Sequence, residues 1–293
     1  MLGSESACWI CGGPDLAPVK SSNFGSKLTS GDFAITDSRY GVTADIFRCG
    51  KCHFLQCSNH RDVLGYYEEL ADTSYEEGRA QRSLQQRKLL EVISPNGQNR
   101  RLLDIGAGSG MLVEQALKLG YRAEGVEPSG WLQQCAQKLG LQVHRGIFPN
   151  PATPGPYEIV TLVDVIEHVP NPVELLEEIG KILTEDGVVL IVTPDAGSLI
   201  ARMLGWRWWH YRLAHIGYFN RNNLTMAIKN AGLEPVRWGR PSWYFQADYL
   251  VDRVLTYLPQ FLRWKQPDWL KKFTIPLNLG DSFFVLCKPQ KSA

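Results

Sequence analysis

The chain has 293 residues, enough to bury a full core in one large domain or in a domain carrying a small module. Its 31 Lys and Arg against 30 Asp and Glu leave a formal charge of +1, with 44% hydrophobic residues, which excludes a global electrostatic grip on nucleic acid. No apolar run approaches the roughly 18 to 20 residues that span a bilayer, and the first residues lack a charged segment, apolar core and cleavage site, so a cytoplasmic protein is expected.

Four of the seven cysteines fall into two pairs, Cys8/Cys11 and Cys49/Cys52. Each Cys-x-x-Cys can turn back on itself and aim two thiolates at one ion, so two such knuckles complete the tetrahedral ligand set of a structural zinc site. Gly12 and Gly13 after the first pair, and Gly50 inside the second, relieve the tight turns. Cys57 and His53 are spare ligand candidates, while Cys135 and Cys287 are expected as buried apolar side chains. Between the pairs, segment 14–48 is rich in Ser, Gly and Asp, with alternating stretches Phe33-Ala34-Ile35 and Asp45-Ile46-Phe47-Arg48. It reads as the hairpins of a zinc ribbon occupying residues 1–60. From Val63 to Ile93 the pattern turns helical, with Tyr66, Tyr67 and Tyr75 and then Leu84, Leu89, Leu90 and Ile93, before Ser94-Pro95-Asn96-Gly97 stops it. Residues 61–97 are therefore expected as helices that link the ribbon to the next domain and cap its cofactor.

Residues 102–110, Leu-Leu-Asp-Ile-Gly-Ala-Gly-Ser-Gly, run from an apolar strand through Asp104 into Gly106, Gly108 and Gly110, and a helix opens at Met111. A dinucleotide fingerprint needs Gly-x-Gly-x-x-Gly, and here the third glycine comes one residue early, which disfavours NAD. A strand over Arg122–Val126 then ends at Glu127, where a carboxylate can accept both hydroxyls of an adenosyl ribose. Alternation continues with helices at 111–119 and 129–139, a short strand near 141–144, a strand over Tyr157–Val163, a helix over Val173–Leu183 and a strand over Gly187–Thr193. A helix near 221–231 and strands at 233–238 and 282–287 complete the pattern. Repeated strand–helix units imply an α/β fold with a mostly parallel sheet covered on both faces, over residues 98–293.

These residues resemble a class I S-adenosylmethionine-dependent methyltransferase over about residues 62–288. The glycine loop matches that family's first motif, Val126-Glu127-Pro128-Ser129 its ribose-binding acid, and Asp164-Val165-Ile166-Glu167-His168-Val169 the loop after its fourth strand. The resemblance implies a Rossmann-like seven-stranded sheet whose last strand is antiparallel. It further implies S-adenosyl-L-methionine held by Tyr75, Asp104, Gly106, Ala107, Gly108, Glu127, Pro128 and Asp164. Many relatives place an acid after the third strand to meet adenine; here the segment is His144-Arg145-Gly146-Ile147-Phe148, so adenine is expected against backbone groups, Ile147 and Phe148. His215-Ile216-Gly217-Tyr218-Phe219 is similar to a His-x-x-x-Phe segment of ubiquinone-type O-methyltransferases. The four-cysteine head is similar to the zinc module of sugar C-methyltransferases from antibiotic pathways.

Methyl transfer from a sulfonium mainly needs alignment of acceptor, methyl and sulfur, and a hydroxyl or carbon acid must also lose a proton to a general base. His168 and His215 are the expected catalytic residues, although the Glu that usually precedes the second in sugar methyltransferases is Ala214 here. Ubiquinone-type relatives also imply an alternative use of Asp164, Glu167 and His168 around a divalent ion. His53, His60, His144 and His210 have no partner evident in the sequence. Seven of the nine tryptophans lie between Trp206 and Trp269 among Arg and Lys, so segments 200–220 and 239–280 are expected as an aromatic cap over the acceptor cleft. The stretch Tyr249 to Phe273 also has the composition of a helix lying in a membrane interface, which makes a peripheral membrane contact an alternative. The expected activity is methyl transfer to a small-molecule or glycan acceptor, a hydroxyl oxygen before a carbon. A non-catalytic module recruiting a partner through the ribbon is the rival reading.

Overall fold

The computed structural model describes residues 7–25, 28–34, 40–57, 63–255, 264 and 267–290. Ile35, His60 and residues 256–263 and 265–266 of the expected membrane-facing stretch lie outside them. The head contributes three antiparallel strands, β1 (Leu16–Lys20), β2 (Ile46–Cys49) and β3 (Leu55–Cys57). The expected helical run then breaks into α1 (Val63–Glu68), α2 (Thr73–Glu77) and α3 (Arg79–Ile93). Asp72 explains one break, because its side chain caps α2 by accepting the Tyr75 N–H at 3.1 Å. Gly78 stands at the other, between α2 and α3.

The alternating region follows as β4 (Arg101–Ile105), α4 (Met111–Lys118), β5 (Arg122–Glu127), α5 (Gly130–Lys138), β6 (Val143–Arg145), β7 (Tyr157–Val163), α6 (Pro172–Ile182) and β8 (Leu183–Pro194). Then come α7 (Leu199–Leu204), β9 (Gly217–Tyr218), α8 (Arg221–Asn230), β10 (Leu233–Gly239), β11 (Trp243–Gln246), α9 (Ala247–Leu255), β12 (Thr274–Leu277) and β13 (Ser282–Pro289). Seven strands form one sheet in the order β10-β13-β8-β7-β4-β5-β6, with β13 antiparallel to both neighbours and β8 through β6 parallel. This is the expected Rossmann-like methyltransferase sheet.

Side chains alternate across it as strand geometry requires. Leu103 of β4 and Val189 and Ile191 of β8 pack with Leu176 and Ile179 of α6 and Ala227 and Ile228 of α8. Leu102 faces the other way, with Leu90 of α3 and Leu112 and Ala116 of α4. Each such buried Leu or Ile stabilises the fold by roughly 1.5–3 kcal/mol. The sheet order reverses at β4, whose neighbours are β5 on one side and β7 on the other, so a crevice opens at their carboxyl ends.

The head is not a separate bead. Its sheet has the order β1-β2-β3-β9, with Leu55 paired to Tyr218 and Gln56 to Gly217, so a strand from the distal half of the chain completes the ribbon. Segments β11 and β12 pair antiparallel.

Gly110 closes the glycine loop at φ +77°, and an added Cβ would lie 2.8 Å from Leu141 Cδ1. Gly110→Ala is expected to lower stability by about 1–3 kcal/mol, read as a lower denaturation midpoint at unchanged m-value. A loss under about 0.5 kcal/mol, the range of ordinary surface changes, would contradict this account of the loop.

Candidate active site

A cleft of about 1390 Å3 opens over the crevice. At one end, Glu127 stands at the tip of β5, 5% exposed, and accepts the Gly108 N–H at 2.7 Å and the Ser129 N–H at 2.8 Å. One carboxylate thereby fixes both the glycine loop and the start of α5. Burial pushes its pKa up to about 7, against the lowering effect of those two N–H groups. The loop's own amides at Gly106 and Ala107 donate to Val126 O at 2.9 and 3.0 Å. Gly106 and Gly108 hold φ of +72° and +54°, and an added Cβ on Gly106 would meet Val165 Cγ2 at 2.5 Å. The bare backbone here leaves room that a side chain would fill.

Tyr75 closes over the loop from α2, and Arg82 lies over its ring at 4.6 Å from the centroid. Pro128, Ile147 and Phe148 also line the cleft. Asp104 and Ala107 do not line the cleft. Asp104 lies beneath the loop, 2.6 Å from Thr161 Oγ1, with its pKa pushed up to about 7 by burial. Ala107 is packed into the core with Leu112 and Val113. Asp164 takes a left-handed φ of +54° at the end of β7, a conformation tolerated by Asp more than by most residues, and faces the cleft. Its side chain touches solvent, but the crowding walls raise its pKa above the usual carboxylate range.

The other end gathers histidines. His168 Nδ1 lies 2.6 Å from Ala214 O, and because a carbonyl only accepts, Nδ1 carries the hydrogen and Nε2 the lone pair. The Tyr67 hydroxyl is 2.6 Å from the same nitrogen and donates to Ala214 O at 3.4 Å. Burial lowers the His168 pKa to about 4 and holds His215 well below the usual range. The two rings meet edge to face at 4.8 Å. Glu167, fully enclosed, accepts the Thr193 hydroxyl at 2.9 Å through Oε2, while its Oε1 has no partner. Burial and the Asp164 charge raise its pKa well above the carboxylate range. Asp164, part of the alternative ion site with Glu167 and His168, is not among the donors that converge most closely. Residues 166–168 make a short 3-10 turn after Asp164, and the donors that converge within 4.8 Å are those of Glu167, His168 and His215.

Sequence reasoning passed over His210 and Asp281. His210 Nε2 lies 3.3 Å from Asp281 Oδ2, which also accepts the Trp209 indole N–H at 2.8 Å. The only sequence signal for this pair was the position of His210 inside the tryptophan-rich cap. Trp209, Trp243, Tyr244 and Phe245 line the cleft, whereas Trp208 is fully buried in the core behind it.

In the head, the sulfurs of Cys8, Cys11, Cys49 and Cys52 all lie within 4.8 Å of one another, with Cys8–Cys52 at 3.4 Å and Cys11–Cys49 at 3.5 Å. Four thiolates on a tetrahedral zinc at about 2.3 Å sit about 3.8 Å apart, so this set fits one ion. The backbone N–H groups of Ile10 and Cys11 bond Cys8, and those of Lys51 and Cys52 bond Cys49, donors that stabilise thiolate sulfur. The spare candidates stay outside the cluster. Cys57 is buried on β3 near His215 O, and His53 occupies a left-handed turn position.

A family model described as a methyltransferase domain matches residues 76–237. The chain belongs to this methyltransferase family. Ubiquinone biosynthesis O-methyltransferase of Caulobacter sp. (strain K31) is 33% identical over 101 residues, covering 32% of this chain and 40% of that protein. The enzyme of the same name from Xanthomonas euvesicatoria pv. vesicatoria (strain 85-10) is 27% identical over 153 residues, 46% of this chain and 62% of that protein. The chain thus spans 40% and 62% of these two relatives. The CcbJ methyltransferase from Streptomyces caelestis shares the fold at TM-score 0.51 and 14% identity, covering 78% of this chain and 99% of that one. A SAM-dependent methyltransferase from Archaeoglobus fulgidus does so at TM-score 0.50 and 16% identity, over 74% and 100%.

Purified protein is expected to carry about one equivalent of zinc, and Cys49→Ser to lose it together with several degrees of thermal stability. Less than half an equivalent in undamaged protein, by atomic emission, would contradict the ligand set.

Proposed function

We propose that this chain transfers a methyl group from S-adenosylmethionine to a small-molecule or glycan acceptor, preferentially at a hydroxyl oxygen, and that its head holds a structural zinc. The observation that carries the reading is a single cleft with two chemically distinct ends. One end presents the glycine loop and the Glu127 carboxylate, and the other presents buried histidines under an aromatic cap. Glu127 takes the ribose hydroxyls, the bare backbone at Gly106 and Gly108 admits the amino-acid part, and Ile147, Phe148 and Tyr75 enclose adenine. Asp104 acts from below, holding the loop's strand through Thr161.

S-adenosylmethionine supplies the activated methyl group; the chain supplies alignment, which in well-oriented systems is worth up to roughly 7–11 kcal/mol. His168 and His215 are the proposed catalytic histidines. Burial keeps both neutral, so each retains a nitrogen lone pair for the acceptor's O–H, and His168 is oriented by Ala214 and Tyr67. The named activity of the ubiquinone-type relatives supports oxygen over carbon as the acceptor atom. Among the described residues no helix is long and apolar enough to cross a membrane.

Labelled methyl transfer to a panel of diphenols and sugars tests this reading. His168→Ala is expected to lower kcat/KM for the responsive acceptor by about a hundredfold or more, with adenosylmethionine affinity unchanged. Equal activity in the variant would remove His168 from the reaction. Adenosylmethionine affinity is expected to rise with pH through about 7 as Glu127 ionises, then level off. Calorimetry from pH 5.5 to 8.5 checks this, with Glu127→Gln predicted to bind weakly and without that slope.

A further inference from the structure

Three imidazoles share the acceptor end of the cleft, and their ability to hold a positive charge differs. His168 has a neutral carbonyl on Nδ1. His215, 7% exposed, faces the charges of His168, Arg212 and His210, which oppose its protonation, and bonds the neutral His210 backbone, which favours it only weakly. His210 lies with its ring stacked on His215 at 5.7 Å and 14°, and its Nε2 points at a carboxylate.

That carboxylate is held in place. Asp281 is 4% exposed, its Oδ2 accepts the Trp209 indole N–H, and its backbone oxygen accepts the Asp195 N–H at 2.8 Å. Asp195 is in turn clamped by Arg240 at 2.7 Å. Burial opposes charge on Asp281, but the His210 and Trp209 bonds outweigh it and hold the group below the usual carboxylate range. An ionised Asp281 requires the hydrogen on His210 Nε2 and leaves the lone pair on Nδ1. The His210 side chain keeps 22% of its surface exposed, and both residues line the cleft.

We propose that His210 and Asp281 form the acid–base dyad of the acceptor site, with His210 taking the acceptor's proton and Asp281 carrying the counter-charge. The assignment rests on the methyl-transfer reading above. In the step, an oxygen lone pair of the acceptor forms the bond to the methyl carbon, and the carbon–sulfur bond breaks with its electron pair passing to sulfur. The hydroxyl proton moves to His210 Nδ1. The products are a methyl ether, a neutral thioether and an imidazolium paired with Asp281, which returns its proton to water through its exposed edge. His168 and His215 stay neutral through the transfer, and a neighbouring hydroxyl of the diphenol or sugar acceptor donates to the His168 Nε2 lone pair, which orients the reacting one. Burial and Arg212 lower the His210 pKa while Asp281 raises it, and Asp164, whose own pKa is pushed up to about 7, lines the same cleft. A carboxylate partner distinguishes a proton acceptor from a neutral hydrogen-bonding imidazole.

The full chain with 15N-labelled histidine, titrated by NMR, reads tautomer and pKa ring by ring without any acceptor. His210 is expected as the Nε2–H tautomer, with the highest pKa of the three cleft histidines, and Asp281→Asn should lower that pKa by about one unit or more. In labelled methyl transfer to the diphenol and sugar panel, His210→Gln and Asp281→Asn should each lose about a hundredfold in kcat, with adenosylmethionine affinity within twofold of the parent. The acid limb of the pH–kcat profile should move to lower pH in Asp281→Asn. An Nδ1–H tautomer, a His210 pKa at or below that of His168, or a less than tenfold kcat loss in His210→Gln would overturn the dyad. Absence of adenosylmethionine binding in the parent would instead overturn the methyl-transfer reading, while the titration order still decides the pairing.

Discussion

The bridge made by Glu127 is the constraint on which the cofactor end depends. A single carboxylate accepts one amide from the glycine loop and one from the turn that opens α5, at 2.7 and 2.8 Å. Those amides would otherwise be buried donors without partners, at a cost of about 1–3 kcal/mol each. Ser129 extends the bridge, because its hydroxyl donates to Leu70 O at 2.7 Å and accepts the Leu132 N–H at 3.1 Å. The strand tip, the loop, the helix start and the segment between α1 and α2 are thus tied through two neighbouring side chains. A site organised this way presents a rigid acceptor of hydrogen bonds before any ligand arrives, which is where orientation gains in catalysis originate.

The histidine end of the cleft depends on a second tie, through Ile216. Its N–H donates to Glu167 O at 2.9 Å, and its carbonyl accepts the Cys57 N–H at 2.8 Å. One residue after His215, the chain is therefore stitched to the 3-10 turn that carries His168 on one side and to the third strand of the four-cysteine head on the other. Phe33 of the head stacks on Tyr66 at 4.6 Å and meets Tyr67 edge to face at 5.9 Å, so the same module also packs against the helix whose tyrosine touches His168. The four-cysteine head thus packs against the segment that carries His215 and the helix that touches His168.

Much of this was legible because local chemistry and global fold agree. The Val188–Val192 run suits a strand covered on both faces, the early third glycine disfavours a dinucleotide loop, and paired Cys-x-x-Cys knuckles need only to meet. The missed features join distant parts of the chain. β9 is two residues long and carries no periodicity, and its identity as a ribbon strand arises from a partner at Leu55 and Gln56. His210 and Asp281 are brought together by the antiparallel last strand, and neither has a neighbour in sequence that announces the other. The helical run over Val63–Ile93 broke where Asp72 competes for the Tyr75 amide, a capping choice that apolar spacing does not register. Asp164, named in the alternative ion reading, takes a left-handed conformation just before the 3-10 turn that carries Glu167 and His168, and its charge still acts on Glu167.

A crystal of the full chain grown with S-adenosylhomocysteine addresses the central claim most directly. The account predicts density along the carboxyl ends of β4 and β5, with both ribose hydroxyls within hydrogen-bonding distance of Glu127 and the sulfur directed toward the His168, His215 and His210 end of the cleft. Density for the nucleoside elsewhere on the molecule, or a ribose that leaves Glu127 bonded only to Gly108 and Ser129, would contradict it.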